Sequence, residues 1–560
     1  MSAAVAVAID GLFGWYTPGR SGRGVVLCPP LGFEGVATYR GLRELALRLN
    51  AAGLSTLRID YPGEGESADE SAGRIGGQTG AIRRAVRYLR EHDGSEEVYL
   101  VGLRFGATLA ALSGEGDGLA LLSPFASGRA YLRAMTLWSQ TADAMPDGTA
   151  IPQDPASPVI GGHRLSPAFL ADLPSADIKK AAPPGAAPAR VLVLGADPAG
   201  LVEFYRARGS VASLEPFPGQ SQFLANPYGA EIPHEAFARV VGFVAEGIPA
   251  RRVEPRPPEP DPSISGEGWL EKPVRLPHAT GILCTPTRPQ PGAPLVVFIN
   301  SGMNIRSGYG RQSTDMARVL AASGIASFRW DQRGVGETED RPDGKYPLYV
   351  ADTVGEFRAV LDHVTPPEGV IVLGTCSGAY LAFHTICADE RIRAAILVNL
   401  YKFDWDGSDD LDAIMRHQFR STASYASLLK RREAWMRLLR GDIRIAAIAR
   451  HLFGAGLARV RDKLAALLRS RADRARMVAG RIASLRRRGQ SLVLVYSAGD
   501  VGIADAHAQL GRSPRGIIRR LGRELLIAPG ADHNFSTDGA QERLTEIVLD
   551  LVRETRDAAK

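Results

Sequence analysis

Apolar runs of four to eight residues recur along the chain, among them Val25-Val-Leu-Cys28, Leu295-Val-Val-Phe-Ile299, Val370-Ile-Val-Leu373 and Leu492-Val-Leu-Val-Tyr496. Between them lie longer stretches, such as 39–52 and 314–323, whose apolar residues return at helical spacing. Runs this short and this apolar suit strands buried on both faces, and the amphipathic stretches suit helices that cover those faces. The alternation predicts an α/β fold built of βα units, with mostly parallel sheets flanked by helices.

The same series of signals occurs twice. A strand and tight turn read Val25-Val-Leu-Cys-Pro-Pro-Leu-Gly32 in one half and Leu295-Val-Val-Phe-Ile-Asn-Ser-Gly302 in the other. A strand ending in Asp and a Gly-rich turn follow, as Ile59-Asp-Tyr-Pro-Gly-Glu-Gly-Glu-Ser67 and Trp330-Asp-Gln-Arg-Gly-Val-Gly-Glu-Thr338. Third comes a strand, a sharp turn between small residues and a helix start: Val98-Tyr-Leu-Val-Gly-Leu-Arg-Phe-Gly-Ala107 and Val370-Ile-Val-Leu-Gly-Thr-Cys-Ser-Gly-Ala379. Gly302 lies 270 residues after Gly32, Asp331 271 after Asp60 and Gly374 272 after Gly102. This regular drift points to a tandem duplication. The Pro-rich stretch Pro249–Pro262 suits neither a helix interior nor a central strand and reads as a linker. The expected domains are 1–248 and 269–560, joined by 249–268, with a longer helical cap insertion at about 405–490 in the second.

A nucleophile flanked by small residues at a strand-to-helix turn is a nucleophile elbow, in which a bulky residue two positions away on either side would collide with the turn. Gly374 and Gly378 flank Cys376 in this way. Ser377, two residues before Ala379, is the alternative nucleophile, but then Thr375 takes the small position. With Cys376 at the tip, the Ser377 N–H would form half of an oxyanion hole, and an N–H from the Ser301-Gly302-Met303 turn the other half. A triad then needs an acid and a histidine after later strands, in that order. Asp500 ends Leu492–Asp500 and His533 ends Leu525–His533, so His533 is the expected base and Asp500 the residue that orients it. Asp505 is the alternative acid. Asp60 and Asp331 are expected to tie together the turns that follow them.

The first half lacks this chemistry. Its elbow presents Arg104, whose permanently protonated guanidinium cannot attack a carbonyl. Asp197 stands where the acid would, and Gln220-Ser-Gln222 occupies the turn where a histidine would be needed. Arg104 and Asp197 mark a pseudo-site. Its role is either scaffold, with Arg104 paired to Asp197 or a neighbouring carboxylate, or binding, with Arg104 gripping a ligand carboxylate or phosphate.

Composition narrows the setting. The 560 residues are 45% hydrophobic and 23% charged, as in ordinary globular proteins rather than disordered or fibrous ones. Four scattered cysteines (Cys28, Cys284, Cys376, Cys387) form neither a disulfide framework nor a CxxC zinc site. No metal, cofactor or nucleic-acid site is expected, since the histidines lack ligand spacing and no phosphate-cradling loop is present. The N-terminus has no basic region before its apolar residues, and no run approaches the ~20 residues of a membrane span. A cytoplasmic location is expected. The net charge of +6 hides a strong asymmetry, because 416–489 holds 20 Lys and Arg against four acids. That local +16 suggests an anionic partner near a cap over Cys376. The amphipathic stretch Leu428–Leu439 also suits an anionic lipid surface.

The order of these motifs resembles the α/β-hydrolase fold over nearly the whole chain. The two elbows, Gly102-Leu-Arg-Phe-Gly-Ala and Gly374-Thr-Cys-Ser-Gly-Ala, look like those of the hydrolase-like proteins associated with exosortase A systems, one Arg-type and one Cys-type. The resemblance implies a place beside acyl-activating and carrier proteins in an export or biosynthetic cluster. Hydrolases of this fold usually have Ser at the elbow, so Cys376 directs the expectation away from simple lipase chemistry. The leading expectation is acyl transfer or hydrolysis through a Cys376 thioester, with a coenzyme A thioester or an acidic acyl-carrier protein as donor at the basic cap. A carboxylic ester or lactone hydrolase is the second reading, and a non-catalytic binding or assembly module the third.

Overall fold

The computed structural model describes residues 4–558 apart from 70–73, 143–144, 146–148, 182–186, 226, 228, 249–260, 300, 345, 351, 406–472 and 538. The chain forms two compact units, one of residues 1–141, 153–293 and 302–347, the other of 142–152, 294–301 and 348–560. The strands, in chain order, are β1 (Val5–Ile9), β2 (Leu12–Thr17), β3 (Arg23–Cys28), β4 (Ser55–Ile59), β5 (Glu97–Leu103), β6 (Gly118–Leu122), β7 (Val159–Ile160), β8 (His163–Arg164), β9 (Arg190–Leu194) and β10 (Val211–Glu215). They continue with β11 (Ile264–Gly266), β12 (Trp269–Leu276), β13 (Ala279–Pro286), β14 (Leu295–Ile299), β15 (Ser327–Asp331), β16 (Val370–Thr375), β17 (Ile392–Val398), β18 (Ser491–Ser497) and β19 (Leu526–Ala528).

The first unit holds an eight-stranded sheet in the order β1-β2-β4-β3-β5-β6-β9-β10. The pairings β1–β2 and β2–β4 are antiparallel and the rest parallel. Alternate residues feed two cores. Val26, Leu100 and Val193 face Ile82 and Ala85 of the helix Ile75–Tyr88, whereas Val25, Val101 and Leu192 face Leu45 and Leu49 of the helix Phe33–Ala51. Burial on both faces explains why these strands read as continuous apolar runs. β7 and β8 form a separate hairpin.

The unit also contains an antiparallel run, β11–β12–β13–β15. β11 corrects the expected linker. Residues 264–266 pair with β12, and the part of the Pro-rich stretch at 249–260 lies outside the described residues.

Buried charge explains why 302–347 belongs with the first unit. Arg58, on β4, grips Glu337 through both carboxylate oxygens at 2.7 Å. Arg329, at the corresponding place on β15, grips Glu66 at 2.7 Å and also Glu271. The two pairs are reciprocal: an arginine two residues before a strand-ending Asp holds the glutamate of the other half's Gly-rich turn. Arg306 lies between them, 3.1 Å from Glu66 and 2.8 Å from Asp331. Asp331 and Asp60 also accept N–H groups from their own turns, Glu337 N and Glu66 N, each at 3.0 Å. Such pairs add little net stability over apolar residues of the same volume, but removing one partner leaves an uncompensated buried charge. They therefore fix which segments pack together. The boundary lies in these pairs and not at the proline linker.

The second unit is a parallel run, β14–β16–β17–β18–β19, with the helix Ser377–Ala388 following β16 and the helix Ala540–Ala558 closing the chain. The two sheet-bearing regions make this an α/β fold of mostly parallel sheets flanked by helices, consistent with tandem domains. No helix among the described residues is long and apolar enough to cross a membrane.

Burial alone would raise the Glu337 carboxyl, but Arg58 and the Tyr39 hydroxyl outweigh it and hold the group at about 2 instead of 4.5. A depressed acid contributes stability that is present above pH 4.5 and lost as pH falls toward 2. Glu337→Gln is therefore expected to destabilise the protein near neutrality, with the deficit relative to wild type shrinking by about 3 kcal/mol between roughly pH 5 and pH 2. Urea unfolding of both proteins across that range checks it, and a pH-independent deficit would exclude an ionised Glu337 at this pair.

Candidate active site

Cys376 sits between β16 and the helix Ser377–Ala388 with φ 53° and ψ −114°. A non-glycine residue there is strained, and the packing around it shows what imposes the strain. A Cβ added at Gly374 would lie 2.3 Å from the Gly378 carbonyl oxygen, so strand and helix touch through their glycines. The Cys376 N–H donates to the Val398 carbonyl at 2.8 Å, which holds the turn on the sheet. Arg104 has almost the same backbone, φ 55° and ψ −123°, and donates its N–H to the Leu122 carbonyl at 2.8 Å.

Asp500 and His533 meet. The His533 Nδ1–H donates to Asp500 Oδ2 at 2.6 Å, and Asp500 Oδ1 accepts the Gly502 N–H at 2.8 Å. The Asp500 side chain is 1% exposed and that of His533 14%. Burial alone would lower the His533 pKa. Asp500, through its charge and its hydrogen bond, and the nearby Cys376 together raise it well above the ordinary 6.5. The Asp500–His533 pair thus lies near Cys376, at the carboxyl ends of β16 and β18. Asp505 is placed otherwise: it accepts the Phe403 N–H at 3.1 Å and the Gln509 amide at 3.1 Å.

Residues 296–546 match the sequence profile of the Alpha/beta hydrolase family. This stretch is similar to that family. No curated protein matches the chain. Among solved structures, Est1E from Butyrivibrio proteoclasticus with bound ferulic acid is 16% identical over 43% of this chain and 97% of its own, with a TM-score of 0.31. Proline iminopeptidase from Mycobacterium smegmatis is 14% identical over 52% of this chain and 100% of its own, with a TM-score of 0.32. Mouse alpha/beta hydrolase domain-containing protein 10 is 12% identical over 51% and 98%, with a TM-score of 0.29.

In the matched region, Ser377 opens its helix at the positive end of the helix dipole. Ser301 follows β14 in the same unit, after Asn300, which lies outside the described residues. Gly302, at φ 56°, and Met303 belong to the other unit, where Met303 packs with Ile305 and Val335. Tyr401 lies close enough to Cys376 for the thiol to help raise its pKa, after burial and Asp505. In the same unit, Tyr349 packs against Tyr380 and stacks on Trp405, with ring centres 5.1 and 4.5 Å apart.

The residues that hold the histidine loop were not foreseen. The Asn399 amide donates to the His533 carbonyl at 2.7 Å and to Ser497 Oγ at 2.8 Å, and Ser497 donates to the Asp532 carbonyl at 2.6 Å. Asp532 in turn accepts the N–H groups of Ser536 and Thr537. The available signal was a polar residue ending an apolar strand in Ile396-Leu-Val-Asn399, of a type that tolerates the positive φ of 49° found there.

The first half is closed on itself. The Arg104 Nε–H donates to Glu34 Oε1 at 2.9 Å, and the guanidinium lies 4.2 Å from the Phe125 ring centre. Asp197 is not its partner: both Asp197 oxygens accept helix N–H groups, of Leu201 at 2.5 Å and Val202 at 3.3 Å. Gln220 and Gln222 lie in the short helix Gln220–Phe223. The Gly32 N–H, the counterpart of an oxyanion donor, points to Glu64 Oε1 at 3.3 Å.

The basic cap is largely outside the described residues, 406–472, including Leu428–Leu439. The described end of the segment corrects one expectation. A helix over 473–487 runs into the start of β18, so Arg486, Arg487 and Arg488 lie at the amino end of the strand and Asp500 beyond its carboxyl end. Arg488 donates to the Cys387 carbonyl at 3.2 Å, at the end of the elbow helix remote from Cys376, and Arg486 to the Arg519 carbonyl at 2.7 Å. Arg486 and Arg488 close helix ends on the side away from the elbow, because a helix preceding a strand must deliver the chain to that strand's amino end. Among the described residues, no group of three His, Cys, Asp or Glu could hold a metal ion.

If Asp500 raises the His533 pKa as this geometry requires, Asp500→Asn lowers it. His533 should titrate at a lower pH in the variant than in wild type, followed by the imidazole NMR signals. An unchanged titration would mean that the 2.6 Å contact does not control the ring.

Proposed function

We propose that the hydrolase region transfers or hydrolyses acyl groups through a thioester on Cys376. The observation that carries the proposal is the His533–Asp500 pair near Cys376, with Cys376 at the elbow. His533 takes the thiol proton and Asp500 balances the imidazolium. The thiolate sulfur attacks the substrate carbonyl, whose oxygen becomes an oxyanion facing the N–H groups of Ser377 and Ser301. As the tetrahedral species collapses, its bond to the leaving group breaks and His533 returns the proton to that group. A second nucleophile (water, an amine or a hydroxyl) then gives its proton to His533, attacks the thioester and releases Cys376.

The preferred donor is an acyl thioester, of coenzyme A or of a carrier protein, because exchange between two thioesters is nearly thermoneutral. The +16 balance of 416–489 favours an anionic donor of either kind. After the correction above, that part of the proposal concerns the segment before Arg486. We also read the two halves as one duplicated plan in which the first has lost its triad.

Burial pushes the Cys28 and Cys284 thiols up to about 12 and Cys387 up to about 11, so alkylation near pH 7 should select Cys376. Iodoacetamide should label wild type and Ser377→Ala at Cys376 and abolish turnover of acyl thioesters, while Cys376→Ala should be inactive from the start. His533→Ala should lose roughly a thousandfold or more in acylation, and Asp500→Asn less. A dead Ser377→Ala beside an active Cys376→Ala would place the nucleophile one residue on.

A further inference from the structure

Two segments of the second unit meet at a surface cleft of about 460 Å³ lined by Ala479, Ala483, Arg486, Arg487, Arg519 and Arg520. One is the helix over 473–487 with the turn after it, and the other is the helix Pro514–Leu521 with its flanks. Residues 474–490 hold six arginines and 511–523 hold five, and neither stretch holds an acid. Arg486 joins the two, donating to the Arg519 carbonyl at 2.7 Å.

The charge of this face is left open. Arg488 lies 3.7 Å from Glu390, and Arg523 pairs with Glu554 at 2.9 Å. Among the described residues, no carboxylate pairs with Arg486, Arg487, Arg512, Arg515, Arg519 or Arg520. Arg486 and Arg520 are held by carbonyl oxygens instead, Arg520 by that of Gln509 at 2.8 Å. A carbonyl orients a guanidinium without cancelling its charge. Guanidinium groups gathered on one cleft repel one another, and an anion from outside the chain relieves that repulsion.

Apolar side chains lie on the same helices. In Pro514–Leu521, Ile517 and Leu521 are buried, whereas Arg515, Ile518 and Arg519 share the exposed face at helical spacing. Ile518 is 38% exposed, and Met477, on the helix over 473–487, is 37% exposed. A soluble polyanion offers nothing to such residues. An anionic bilayer offers phosphate to the arginines and the edge of its hydrocarbon to isoleucine and methionine.

The position of the face favours the same partner. Residues 486–488 lie at the amino end of β18 and Asp500 beyond its carboxyl end, so an acyl donor gripped there would be on the side away from Cys376. A surface that anchors the protein needs no such proximity.

We propose that this arginine-rich face docks the protein on an anionic phospholipid bilayer, with the arginines on lipid phosphates and Ile518 in the interface. The proposal does not depend on the reaction at Cys376.

Sedimentation of the full-length protein with vesicles tests it, using phosphatidylcholine alone and phosphatidylcholine with one third phosphatidylglycerol. The protein should sediment with the anionic vesicles only, and less so as salt is raised. The triple variant Arg512→Gln, Arg515→Gln, Arg519→Gln should bind them about a hundredfold more weakly, at about fivefold per arginine. Ile518→Ser should bind them about fivefold more weakly. All these side chains are exposed, so both variants should keep the wild-type unfolding midpoint; if the triple variant fails to fold, Ile518→Ser decides. Equal binding to both kinds of vesicle, or binding to neither, would overturn the proposal. Anionic binding that neither variant weakens would place the lipid contact elsewhere in the chain and would overturn it too. Calorimetric binding of coenzyme A that the triple variant loses, without any binding to anionic vesicles, would make the cleft a site for soluble phosphates and overturn it likewise.

Discussion

The backbone at Cys376 is in the left-handed region because strand and helix approach until Gly374 touches Gly378. A side chain on Gly374 would collide with the Gly378 backbone, force the two elements apart and change the presentation of whatever residue stands at the tip. The rest of the site depends on this contact. The close approach brings the amino end of the helix under the turn and hangs the Cys376 N–H on the Val398 carbonyl. The thiol then stands where His533 can reach it. The strain is borne by one residue and offset by the packing of the whole sheet around it.

The same backbone in the first half carries different chemistry, which separates what the fold requires from what the reaction requires. At Arg104 the turn, the φ value and the strand hydrogen bond are all present. The polar groups around it nevertheless serve one another: Glu34 takes the guanidinium, Glu64 the Gly32 N–H, and Asp197 the end of a helix. The elbow backbone is thus compatible with an arginine held in an ion pair. Reactivity needs in addition a base whose own partner fixes it, as Asp500 does for His533, and a loop held by groups such as Asn399 and Asp532.

Much of this was legible in the chain, because it is written in local patterns. Apolar run lengths marked β3, β14, β16 and β18. Glycine spacing marked the elbow, and the order of Asp500 and His533 after their strands marked the residues that meet. The illegible part depends on long-range partners. Arg58 and Glu337 are 279 residues apart, and no property of either predicts the other. Arg104 has many acids within reach in principle, and only the fold selects Glu34 over Asp197. The short strand β11 hides in a proline-rich context because its pairing with β12, rather than its own propensity, makes it a strand. The terminal arginines of the basic segment were read by charge alone, whereas their place follows from the direction in which a helix must enter β18.

The central claim, that Cys376 carries the acyl group, is tested most directly by intact-protein mass spectrometry after brief incubation with a series of acyl thioesters. The account predicts a mass gain equal to the acyl group in wild type, mapped by peptide analysis to Cys376 and absent from Cys376→Ala. An adduct that persists in Cys376→Ala, or that maps to Ser377, would contradict it.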